Sequence, residues 1–250
     1  MSTAALRWST FAAPSRFYRL ADALNPWLWG SAIVLALAGL YIGFFVAPVD
    51  ATQGNSYRII FIHVPAAWIS MVIYVAMAFW AAIGWMLNAR MASMLARALA
   101  PTGALFTFIA LWTGSFWGKP TWGTWWVWDA RLTSYLILLF LYLGFIALVT
   151  AIDDVVRGDK AAAVLALVGV VNVPIIYFSV RWWNTLHQGA TISMTAAPKM
   201  AQTMLLAMLL MTLAFWAYAF AVVFTRAQAL ALQRERDTDW VRALIGKEMQ

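Results

Sequence analysis

Six long apolar runs constrain this chain more than any other feature. They cover about residues 27–47, 59–87, 99–117, 132–152, 161–180 and 199–224. A helix needs roughly 20 such residues to cross a hydrocarbon core of ~30 Å. Inside that core every backbone amide and carbonyl must be paired within the protein, which a helix does by itself. The expected fold is therefore all-α: a polytopic membrane protein of six transmembrane helices, forming one integral-membrane domain over residues 1–250. Composition agrees, since only 11% of residues are charged, against about 25% in soluble globular chains. Lipid is the expected solvent.

The connections set the topology. Residues 1–26 carry Arg7, Arg16 and Arg19 and end at Asn25-Pro26. They are too long and broken for a secretory leader, so a retained N-terminus is expected. Pro48 to Asn55 reads as a turn, Asn88 to Arg97 as a polar connection, and Asp153 to Lys160 as a short charged loop. Asn172 and Pro174 interrupt the fifth run, a break that a neighbouring helix or water can satisfy. The tail from Arg226 is charged and suits an amphipathic helix on the membrane face. Six crossings put both termini on one side, which then holds twelve Lys and Arg against five opposite. The positive-inside rule places the termini in the cytoplasm. The net charge of +7 is thus a topology signal and not a sign of nucleic-acid binding.

Gly118 to Thr133 joins the third and fourth runs on the outer side. Four of the sixteen tryptophans, Trp122, Trp125, Trp126 and Trp128, fall within seven positions, followed by Asp129-Ala130-Arg131. Trp112 and Trp117 lie just upstream. Indoles at membrane borders usually form a belt of one or two per helix end, as expected for Trp27, Trp29, Trp80, Trp85 and Trp216. This stretch is too dense for that. Taken as a helix, it would align Trp122, Trp125, Trp126 and Asp129 on one face. Such an apolar surface outside the bilayer needs a ligand or a covering domain.

The chain has two histidines, His63 and His187. The predicted topology puts both on the side of the tryptophan stretch. Neutral imidazole is a good iron ligand, and two of them flanking an aromatic slab match the needs of a bis-histidine haem. A histidine at a helix end is more often an ordinary hydrogen-bonding residue, so shared sidedness alone is a weak signal. Arg58, Lys119, Arg131 and Arg181 are candidate propionate or positioning cations, with headgroup contact as the commoner use of each. Asp129 and Arg131 could instead pair with each other. The absence of cysteine excludes a Cys-x-x-Cys-His attachment, so any haem is b-type and non-covalent.

Trp122-Gly-Thr-Trp-Trp-Val-Trp-Asp-Ala-Arg131 resembles the signature of the tryptophan-rich haem-handling family, which includes the bacterial cytochrome c maturation proteins. Six spans and one histidine in each flanking outer segment resemble its component C branch. The resemblance implies that His63 and His187 are axial ligands and that Trp122, Trp125, Trp126, Trp128 and Asp129 form the haem platform. It implies a non-enzymatic protein of the bacterial inner membrane. Such a protein binds haem transiently at the periplasmic face and passes it to a periplasmic haem chaperone, maturation protein E. The implied partners are the ABC-type components A and B and the small single-span component D.

Two other readings compete. An electron-transfer subunit of the cytochrome b kind would place histidines inside its spans, and the expected spans hold none in their interiors. A permease would need polar groups within the spans, where only Asn172 stands out. No nucleophile–base constellation or phosphate-binding loop suggests an enzyme.

Overall fold

The structure is a computed structural model that describes residues 13–187 and 200–248. Among them every regular element is a helix, and six segments are long and apolar enough to cross a membrane. The protein is a multi-pass membrane protein of all-α class. The retained N-terminus with Arg7 and the expected start of the sixth span at Lys199 lie outside the described residues.

Helix α1 spans Pro14–Tyr41 and continues through one π-helical turn, Ile42–Val46. It begins well before the expected Trp27, because Pro14 opens it and Pro26 is carried inside it. A 3-10 turn, Asn55–Ile59, leads into α2, Ile60–Leu87. Helix α3 is Arg90–Trp122, so the expected polar connection shrinks to Asn88 and Ala89. Asn88 takes the left-handed conformation (φ 50°) that ends α2. Helix α4 is Ala130–Ala151.

The fifth span is a broken pair, α5 (Val155–Gly169) and α6 (Asn172–Trp182). Its break is satisfied by a neighbour: Asn172 Nδ2 donates to the Ser134 carbonyl of α4 at 2.9 Å. Helix α7 runs Gln202–Arg234, taking in residues expected in the tail, and α8 is Asp239–Glu248.

Helices α2 and α3 form the centre. Helices α4 and α5 pack on them, while α1 lies along α7. Tyr135 and Tyr142 of α4 are buried, and their hydroxyls donate to the carbonyls of Ala67 and Ser70 at 2.9 and 2.7 Å. Tyr142 presses on Gly103, where a Cβ would stand 2.1 Å from the ring. No larger residue there would let α3 and α4 approach so closely.

At the end where α1 begins and α7 stops, Asp159 accepts from Arg97 and, at 2.9 and 3.2 Å, from Arg234. Arg97 also donates to the Val149 carbonyl. Residues expected in loops thus join α3, α5 and α7 from within their helices.

Candidate functional site

The opposite end builds a small cleft. Helix α3 stops because Gly123 turns left-handed (φ +79°), and its amide donates to the Lys119 carbonyl. The chain then runs irregularly to Asp129, so the single-face helix considered for Trp122 to Asp129 does not form. It folds back on α3, where Ser115 Oγ donates to the Trp125 carbonyl at 2.8 Å. Asp129 Oδ1 accepts from the Leu132 amide at 2.8 Å and caps α4. A side-chain oxygen at that position satisfies one of the unpaired first-turn amides. No Asp129–Arg131 ion pair occurs among the described residues.

The cleft encloses about 50 Å³. Both imidazoles line it, with Trp122, Trp125 and Trp126 of the expected platform and Arg131 of the expected cations. The His63 and His187 rings have centroids 6.3 Å apart and planes inclined at 32°. Trp122 lies 6.0 Å from the His187 ring, and Trp125 packs edge-on against Phe116 at 5.3 Å. Trp128 stands outside the lining, 76% exposed, with its ring edge-on to Trp126 at 5.4 Å. The indole N–H of Trp126 and Oδ2 of Asp129 are buried without a hydrogen-bond partner among the described residues.

The other cations have different work. The Arg58 guanidinium donates to the carbonyls of Gly43 and Ala47 and to Asn55 Oδ1, tying the end of α1 to the turn before α2. Lys119 donates to the Gly123 carbonyl at 3.1 Å. Arg181 lies 6.0 Å over the Phe178 ring. None of the three lines the cleft.

Helix α3 supplies lining residues that motif reading passed over: Ala110, Gly114 and Trp117, with Thr113 bonded to His63 from the same face. Trp117 is buried, meets the His63 ring edge-on at 5.5 Å and donates from Nε1 to Gln53 Oε1 at 2.6 Å. The signal was present as helical spacing, because positions 110, 113, 114 and 117 share one face. Nothing in the sequence said that this face meets His63.

Comparison with known proteins places the chain. A sequence profile described as heme exporter protein C matches residues 7–242. Heme exporter protein C of Escherichia coli K12 is 48% identical over 244 residues, covering 96% of this chain and 98% of that protein. The Haemophilus influenzae protein of the same name is 44% identical over 234 residues, covering 94% and 95%. A putative cytochrome c biosynthesis ccmC-like mitochondrial protein of Marchantia polymorpha is 46% identical over 176 residues, covering 70% and 73%. The chain belongs to the heme exporter protein C family.

Proposed function

We propose that this member of the heme exporter protein C family binds haem as transient cargo between His63 and His187. It then presents the haem to a periplasmic haem chaperone for c-type cytochrome biogenesis. The observation that carries the reading is the pair of imidazoles in one cleft, 6.3 Å apart at their centroids. Two imidazoles on opposite sides of one iron, with metal–nitrogen distances of about 2 Å, hold their centroids about 6 Å apart. The residues present fit such a cargo: two nitrogen donors, an aromatic wall, a buried indole N–H without a partner among the described residues, and the cation Arg131.

A cleft of about 50 Å³ has room for only a few waters. The exposed Trp125 and Trp128 would hold the part of a macrocycle that the cleft is too small to enclose. An edge left open in this way suits a carrier that must let go. The chaperone (maturation protein E) is the cover we assign to that edge. The charge bias supports a cytoplasmic side for both termini and an outer side for the platform end, and on this reading the membrane is the bacterial inner membrane and the outer side is the periplasm. Components A, B and D are the remaining partners of this reading.

The test is a set of optical spectra of protein co-expressed with the chaperone, for wild type, His63→Ala, His187→Ala and a Trp125→Ala/Trp126→Ala double variant. Each histidine change is expected to shift or abolish the Soret band while the protein still inserts. Bands unaltered by both histidine changes would overturn the axial assignment.

A further inference from the structure

The two imidazoles are held differently. His187 lies in an irregular segment, its amide bonded to Thr185 Oγ1 at 3.0 Å. His63, the fourth residue of α2, is pressed into α3. Its Nδ1 lies 3.0 Å from Thr113 Oγ1, its ring meets Trp117, and a Cβ on Gly114 would stand 2.9 Å from its Cε1. Only a residue without a side chain at 114 leaves the ring where it is.

The direction of the Thr113 bond follows from counting protons. A threonine hydroxyl has one proton to donate and lone pairs to accept with. Thr113 Oγ1 lies 2.6 Å from the Ile109 carbonyl, one helical turn back, and 3.4 Å from that of Ala110. A carbonyl oxygen can only accept, and the Ile109 carbonyl at 2.6 Å is the nearest acceptor for that proton. With the proton given to Ile109, the hydroxyl oxygen accepts towards His63. Nδ1 then carries the imidazole proton, which leaves the lone pair on Nε2.

We infer that Thr113 is the positioning residue of this site: its hydroxyl accepts from His63 Nδ1 and holds Nε2 as the nitrogen that ligates iron. The inference rests on the function proposed above and adds a residue that neither the tryptophan signature nor the pair of histidines indicates. A hydrogen bond to the second ring nitrogen of a metal-bound histidine fixes its tautomer and orientation. Threonine does this without adding charge, which matters beside a membrane where an unpaired carboxylate would be costly.

Because the chain has only two histidines, ¹⁵N-histidine labelling reads the tautomer directly in haem-free protein in detergent. His63→Ala assigns the signals. His63 is expected as the Nδ1–H tautomer in wild type, as a mixture or the Nε2–H form in Thr113→Val, and as Nδ1–H again in Thr113→Ser. Haemin titration of the same proteins is expected to show affinity lowered on the order of tenfold in Thr113→Val and restored by serine. An Nε2–H tautomer in wild type would overturn the inference, as would a Thr113→Val variant matching wild type in both readouts. Haem binding that survives His63→Ala would instead overturn the proposed function, whatever the tautomer.

Discussion

The two ends of the helix bundle treat their buried carboxylates differently. At the end where α1 begins and α7 stops, Asp159 is enclosed by two guanidiniums, and its side chain is only 14% exposed. The neighbouring buried Glu235 accepts from Trp240 Nε1 at 2.9 Å and pairs with Arg90. At the cleft end, the stretch from Thr121 to Asp129 leaves three buried polar atoms without hydrogen bonds among the described residues: Thr121 Oγ1, Trp126 Nε1 and Asp129 Oδ2. Burying such a group unpaired costs on the order of 1–3 kcal/mol. The first end also leaves Asn25 Oδ1 and Glu235 Oε1 without hydrogen bonds among the described residues, but its carboxylates meet cations that hold helices together. The cleft end keeps that cost in the free protein, where a ligand can relieve it.

The comparison is broken most directly at Asp159. Asp159→Ala leaves Arg97 and Arg234 buried side by side and is expected to cost about 3–5 kcal/mol of stability. Thermal unfolding of the detergent-solubilised protein reads that loss, and the haem spectrum of the folded fraction is expected to be unchanged. A lost Soret band at full stability would reverse the roles given to the two ends.

A smaller loss is expected from Arg58→Gln, because the bonds to the Gly43 and Ala47 carbonyls are charge-assisted. About 2 kcal/mol should go, with haem retention intact. Retention that falls while stability holds would return Arg58 to the propionates.

Trp126→Phe sharpens the contrast, since it removes a buried N–H that no described residue satisfies. The haem-free protein should unfold at the same temperature or gain up to about 1 kcal/mol, while retaining haem less well. His187→Ala removes a half-buried ring packed on Trp122 and His63, and is expected to cost about 1 kcal/mol and to alter the Soret band. A large stability change there would mean that the segment around His187 carries packing.

Much of the architecture was legible in one dimension. An apolar run long enough to cross a bilayer has few alternatives to a helix, and the spans lie close to where those runs fall. The break near Asn172 was readable from proline and asparagine. Where reading failed, polar residues were the cause. Arg97, Asp159 and Arg234 read as loop or tail because they are charged, yet they are helical and form one ion-paired cluster across three helices. The tryptophan stretch read as a possible helix face because indole spacing fits one. Gly123 ends α3 inside it, and the rings meet through the fold instead.

The candidate site divides in the same way. His63, His187, Trp122, Trp125, Trp126 and Arg131 could be named from residue type and the predicted side of the membrane, and the fold brings them to one cleft. Arg58, Lys119 and Arg181 could not be separated from Arg131, because a cation's partner is a matter of distance, and distance across helices is absent from a sequence. By itself the sequence determined the solvent, the helical class and the family, since apolar length and a rare motif are properties of the chain alone. Tertiary structure decided which face of α3 meets His63, and through the single proton of Thr113 which imidazole nitrogen keeps its lone pair. A hydrogen bond between residues 50 positions apart exists only once two helices have packed.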